Sequence, residues 1–80
     1  MKRAIKIENL PALDETSRDV LRVIALHLGD REGAYVDYTT IAKSLDLTRP
    51  AVASAVERLK KKRVLAEEHG RLKIINSVLV

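Results

Sequence analysis

Cysteine, tryptophan and phenylalanine are all absent from the sequence, and histidine occurs only twice. Without cysteine the chain can form neither a disulfide framework nor a thiolate metal site. His27 and His69 alone are too few to hold a structural zinc ion. We therefore expect no metal and no other cofactor, and no motif for a small-molecule ligand is evident.

Long hydrophobic runs are missing as well. The longest uncharged runs, such as residues 23–29, are far shorter than the about 20 apolar residues that a membrane-spanning helix needs. The cationic N-terminus is not followed by an apolar stretch of signal-peptide length. These features predict a single soluble domain, residues 1–80, in the cytoplasm and without a membrane partner.

Groupings of residues for catalysis or for stacking on unpaired bases are also lacking. Glu57, Glu67 and the two separate histidines do not form a cluster of nucleophile, base and acid, so we do not expect an enzyme. Tyr35 and Tyr38 lie far along the chain from its most basic part, which makes them a poor platform for single-stranded nucleic acid. We expect both tyrosines to be packing residues.

The charge that is present is unevenly distributed. Residues 1–47 hold seven Lys/Arg and eight Asp/Glu, a net charge of −1, whereas residues 48–80 hold eight and three, a net charge of +5. Such an asymmetry is typical of a protein with one face for a polyanion. A basic surface without a partner is the alternative, and charge alone does not separate the two.

Hydrophobic periodicity predicts two helices in the first half of the chain, after a short strand at residues 2–7. The first helix covers about residues 17–28, with Thr16 and Asp19 as a capping box and Gly29 at its end. A second, short helix begins near Tyr38 and ends at Asp46. Asp37 is its expected cap, and Thr39 is a competing one.

The second half predicts a third helix and a β-hairpin. Thr48 is expected to cap a helix over about residues 49–62, with Pro50 in its first turn. The apolar residues Val52, Ala55, Val56 and Leu59 would form its buried side. A hairpin over about residues 64–75 would turn at His69-Gly70, with Leu65 opposite Ile74 and Glu68 opposite Arg71.

The stretch YTTIAKSLDLTRPAVASAVERLKKKRVL, residues 38–65, has the spacing of a helix-turn-helix, with the small residue Ala42 where the two helices pack closest. Over about residues 14–75 the chain resembles the winged helix-turn-helix domains of bacterial and archaeal transcription regulators, MarR-like and related small repressors. The resemblance implies a mainly α fold of three helices with a hairpin wing. Two departures are Asp46 and Arg63, which stand where the family often has glycine.

By this resemblance, the solvent-facing side of the third helix contacts double-stranded DNA in the major groove and the wing contacts the backbone or the minor groove. Arg49 and Arg58 are the expected readers of base edges, because a guanidinium binds guanine through two hydrogen bonds. The predicted DNA-binding residues are Thr48, Arg49, Pro50, Ala53, Ser54, Arg58 and Lys61 on the helix, with Arg71 and Lys73 on the wing.

Several basic residues of the third helix and the wing have an alternative role. Lys60 and Lys62 equally suit the negative end of a helix dipole, Arg58 could pair with a neighbouring acid, and Arg71 could pair with Glu68 across the hairpin. The expected function is a sequence-specific DNA-binding regulator, a repressor, acting as a homodimer. Ile5, Ile7 and residues 78–80 are the candidate dimer contact. The alternative function is a winged-helix protein-interaction module within a larger transcription or replication assembly.

Overall fold

A computed structural model describes residues 12–75, so the predicted strand at residues 2–7 and both candidate dimer segments lie outside the described part. Three helices are followed by a two-stranded antiparallel hairpin, which confirms the predicted fold class. The elements are α1 (Glu15–Leu28), α2 (Tyr38–Leu45), α3 (Arg49–Lys61), β1 (Leu65–Glu68) and β2 (Arg71–Ile74). Within residues 12–75, no helix is long and apolar enough to cross a membrane.

Helix α1 begins earlier than predicted, because Asp14 and not Thr16 is its cap. The Asp14 carboxylate accepts a hydrogen bond from the backbone N–H of Ser17 at 3.3 Å. The Ser17 hydroxyl donates to the same carboxylate at 2.7 Å. The predicted capping box of Thr16 and Asp19 is therefore wrong: aspartate caps at least as well as threonine, and this one gains a second bond from Ser17.

The caps of α2 and α3 are those predicted. Asp37 accepts from the N–H of Thr39 at 3.0 Å, so Thr39 is not the cap of α2. Thr48 accepts from the N–H of Ala51 at 3.2 Å, and the Pro50 ring lies in the first turn of α3. Because proline lacks an N–H, it removes no hydrogen bond at this position.

The core lies between the three helices and one side of the hairpin. Val52, Ala55, Val56 and Leu59 of α3 are fully buried, as the periodicity predicted. Ala42 of α2 is buried in the same core, and α2 packs against α3. The other buried apolar side chains are Val20, Leu21, Ile24, Leu28, Ala34, Ile41, Val64, Leu65, Leu72 and Ile74.

The hairpin has the predicted register, with Leu65 opposite Ile74 and Glu68 opposite Arg71. Both turn residues, His69 and Gly70, have positive φ values of 53° and 79°, which is the signature of a type I′ turn. Ala34 exchanges both backbone hydrogen bonds with Leu72, at 3.0 and 2.9 Å. The loop between α1 and α2 thus adds a one-residue third strand beside β2.

Asp46 and Arg63, which stand where the family often has glycine, both have a left-handed backbone conformation, with φ of 55° and 60°. Aspartate tolerates this region better than arginine does. Each turn therefore forms without glycine, and the strain is greater at Arg63.

Arg63→Gly is expected to raise the free energy of unfolding by roughly 0.5–1 kcal/mol. Glycine removes the cost of about 1–2 kcal/mol that a side chain incurs in the left-handed region. Part of this gain is lost because glycine gives the unfolded chain more conformational entropy. Urea unfolding of the variant measures the gain. Lys62→Gly is the matched control, because it removes a neighbouring cation at an ordinary φ of −85°. Equal gains in the two variants would mean that charge, not backbone geometry, is responsible.

Candidate nucleic-acid interface

The side of α3 opposite the core is continuous and solvent-facing. Its exposed members are Arg49, Pro50, Ser54, Glu57, Arg58 and Lys61, and Ala53 beside them is partly exposed. Thr48 is exposed at the start of the helix, and its hydroxyl oxygen accepts the capping hydrogen bond from the N–H of Ala51. All seven predicted DNA-binding residues between positions 48 and 61 therefore reach solvent on, or next to, one helix face.

Four cations in and just after α3 have no acidic partner within residues 12–75. Arg49, Lys61, Lys62 and Arg63 are exposed, and no described carboxylate lies within ion-pair distance of them. The helix dipole accounts for cations at positions 61 and 62, near the C-terminus. Arg49 is the first residue of α3, where the positive end of the dipole disfavours a cation. Helix stability therefore gives no reason for an arginine at position 49.

Arg58 is held by the start of α1, which is the alternative role named above. Its Nε donates to the Ser17 hydroxyl at 3.2 Å and lies 3.4 Å from a carboxylate oxygen of Asp14. Its Nη2 donates to the other oxygen of Asp14, also at 3.4 Å. The side chain is still 44% exposed, and its Nη1 has no hydrogen-bond partner in the described part of the chain. Arg58 therefore connects α1 to α3 and keeps one nitrogen free for an outside contact.

Asp14 is the centre of this connection, and its carboxyl is kept ionised. The hydrogen bond from the Ser17 hydroxyl lowers the pKa of Asp14, and the charge of Arg58 lowers the same pKa further. A lowered pKa means that the ionised form stabilises the fold above the ordinary aspartate pKa of 3.8. That stabilisation is lost as the pH falls through the lower, folded-state value.

Lys60 is a structural cation in the described residues. Its Nζ binds Glu57 of α3 at 3.3 Å and also Glu67 of β1. The hydrogen bond to Glu67 raises the pKa of Lys60, so the ammonium form is favoured. The half-buried ring of Tyr38 lies in the same neighbourhood, where burial raises the pKa of its phenol. Lys60 therefore joins α3 to the wing.

The two predicted wing cations have different surroundings. Lys73 pairs with Glu68 at 2.9 Å, and this contact lowers the pKa of Glu68. Arg71, which lies opposite Glu68 in the register, instead places its guanidinium carbon 5.2 Å from the centre of the Tyr35 ring. The suggested Arg71–Glu68 ion pair is therefore replaced by Lys73–Glu68.

The two tyrosines also differ. Tyr38 packs against the core, as predicted. Tyr35 is 69% exposed and lies against Gly70 and Arg71 of the hairpin and not in the core. It follows Ala34, and the bridge of Ala34 to β2 carries the ring out to the tip of the hairpin. No local pattern in the sequence marks a pairing between residues so far apart in the chain.

No protein-family model, curated protein or solved structure matches the chain.

Proposed function

We propose that the protein binds double-stranded DNA with sequence specificity through the exposed side of α3, and that it acts in the cytoplasm as a transcriptional regulator, a repressor. The observation that carries this proposal is that four cations in and just after α3, Arg49, Lys61, Lys62 and Arg63, have no carboxylate partner within residues 12–75. An exposed helix has a diameter that fits the major groove. A cation that opposes the dipole of its own helix, as Arg49 does, is explained by an anionic partner.

The side chains on the exposed side of α3 can make different kinds of contact with DNA. Among residues 12–75 nothing binds the guanidinium of Arg49, so all of it can address a guanine edge, whereas Arg58 keeps Nη1 and the second N–H of Nη2 beyond its contacts with α1. Ser54 can donate to a base or a phosphate, and Pro50 and Ala53 can offer only apolar contact, such as to a thymine methyl. Lys61 lies near the C-terminal end of the face and suits a phosphate.

We also propose that the protein acts as a homodimer. One exposed helix covers few base pairs, and two copies on a pseudo-palindrome double the number of bases read. Sedimentation with and without a selected duplex measures the assembly. A monomer under both conditions at high concentration would contradict a dimer while leaving DNA binding intact.

The DNA-binding test is selection from a randomised duplex pool, followed by binding curves on the selected duplex and a scrambled one at several salt concentrations. We expect log K to fall with log salt with a slope of about −2.7 or steeper, because each of the three phosphate-directed cations Lys61, Lys62 and Arg63 contributes about −0.9. Arg49→Ala should reduce the selected-to-scrambled affinity ratio by about five- to 150-fold, the equivalent of roughly 1–3 kcal/mol for a base contact. Lys62→Ala, the control, should weaken both duplexes alike.

A wild-type protein that shows no salt-dependent binding to any duplex at low salt would overturn the proposal. If Arg49→Ala leaves the selected-to-scrambled affinity ratio unchanged, the proposal of DNA binding stands but Arg49 does not read a base. Arg58→Ala needs a stability measurement beside its binding curve, because its contacts with Asp14 and Ser17 also join α1 to α3.

Glu57 favours the second candidate function, a module that binds another protein. Its side chain is 64% exposed near the middle of the outer side of α3, where a carboxylate repels phosphates unless it accepts from a cytosine amino group. Glu57→Gln distinguishes the two. It should strengthen binding to scrambled DNA if α3 lies against a duplex, and it should have no such effect if the face contacts only a protein.

A further inference from the structure

Tyr35 is placed at the wing by hydrogen bonds of the preceding residue. Ala34 donates to the carbonyl of Leu72 at 3.0 Å and accepts from its N–H at 2.9 Å. The backbone entering Tyr35 is thus fixed to β2, although α1 and α2 enclose this loop in the sequence. The Tyr35 ring is 69% exposed, so it leaves apolar surface in contact with water and does not add to the core.

The tip of the hairpin is shaped around this ring. A Cβ atom at position 70 would lie 3.2 Å from Cε1 of Tyr35 and 3.7 Å from its Cδ1, so the ring fits against a residue without a side chain. Gly70 also has a φ of +79°, which favours glycine independently. Ring and turn are therefore in direct contact.

The same ring holds Arg71. The guanidinium carbon lies 5.2 Å from the ring centre, within the range of a cation–π interaction. Lys73 forms an ion pair with Glu68, the acid opposite Arg71. No other described carboxylate pairs with the guanidinium of Arg71. Arg71 is consequently oriented by an uncharged surface, and its charge remains available to an anion.

We propose that Tyr35 is a positioning residue that holds Arg71 ready for a phosphate of the bound DNA backbone. A free arginine side chain gives up rotamer freedom when it docks, and stacking on a ring fixed by Ala34 reduces that loss before the duplex arrives. The ring face, not the phenol hydroxyl, is the part that matters. This inference rests on the proposed DNA binding.

The test is a double-mutant cycle on a duplex at several salt concentrations, with Tyr35→Leu, Arg71→Gln and the double variant. Arg71→Gln should lower the salt slope by about 0.9 and weaken binding about five- to tenfold at 0.1 M salt, as one lost phosphate contact requires. Tyr35→Leu should weaken binding severalfold, and the double variant should bind no more weakly than Arg71→Gln alone. Tyr35→Phe, which keeps the ring, should match the wild type within about twofold.

Thermal unfolding of each variant separates positioning from a purely structural role, because only a structural role lowers the midpoint together with the affinity. Additive losses from Tyr35→Leu and Arg71→Gln, or a Tyr35→Leu variant that binds as the wild type does, would overturn the inference. Arg49→Gln is the reference. If it weakens binding while the wing variants do not, Tyr35 has no positioning role and the proposed function stands. If the wild type binds no duplex, both are wrong.

Discussion

Leu59→Ala should lower the free energy of unfolding by about 2–5 kcal/mol, the range for large-to-small substitutions in a core. The side chain of Leu59 is fully buried on the inner side of α3. Its carbonyl also accepts the N–H of Val64 at 3.0 Å, where α3 passes into the wing. A domain of this size has a total stability of roughly 4–12 kcal/mol, so the variant is expected to lose a large fraction of it and to unfold at a much lower urea concentration than the wild type.

The matched control is Leu26→Ala, the same substitution on α1 at a side chain that is 66% exposed. It removes little buried surface and should change the free energy of unfolding by no more than about 0.5 kcal/mol. Urea denaturation followed by circular dichroism measures both variants. Similar losses at positions 59 and 26 would show that Leu26 is covered in solution, for example by a second copy of the chain, or that Leu59 is less buried than described.

Local signals in the sequence identified the elements and most of their ends. Asp37 and Thr48 cap their helices through hydrogen bonds to residues two and three positions later, and the His69-Gly70 turn determines the register of its own hairpin. Such contacts are encoded within a few residues. The start of α1 was misassigned because Asp14 and Thr16 are both competent caps, and the second bond from Ser17 decides between them.

Contacts between distant parts of the chain could not be predicted in this way. Arg58 meets Asp14 across 44 positions, and Arg71 meets Tyr35 only because Ala34 joins β2. The sequence shows which residues carry charge, but it does not show which charges neutralise each other. For the candidate interface this distinction is central, because Lys60 and Lys73 bind carboxylates of the protein itself, whereas Arg49 and Lys61 bind none within residues 12–75.

The largest effect on DNA binding is expected when the four α3 cations without a carboxylate partner in the described residues are replaced together, by Arg49→Gln, Lys61→Gln, Lys62→Gln and Arg63→Gln. Each lost phosphate contact lowers the salt slope by about 0.9. At 0.1 M salt each of the three phosphate contacts, at Lys61, Lys62 and Arg63, contributes almost a factor of ten, so the quadruple variant should bind a scrambled duplex roughly 500-fold more weakly. Glutamine keeps the helix, with a loss at positions 61 and 62 of roughly 0.3–1 kcal/mol of dipole stabilisation each. Fluorescence anisotropy at several salt concentrations gives the affinity and the slope.

A charge-matched comparison shows whether location or net charge is responsible. Lys61→Gln with Lys62→Gln removes two cations from the end of α3, and Arg18→Gln with Arg22→Gln removes two from the exposed side of α1. If the duplex lies along α3, the first pair should lower the slope by about 1.8 and the second should barely change it. Equal reductions would mean that DNA responds only to the total charge of the molecule. In that case the four α3 cations would not define a binding face, and the assignment of α3 as the reading helix would be wrong.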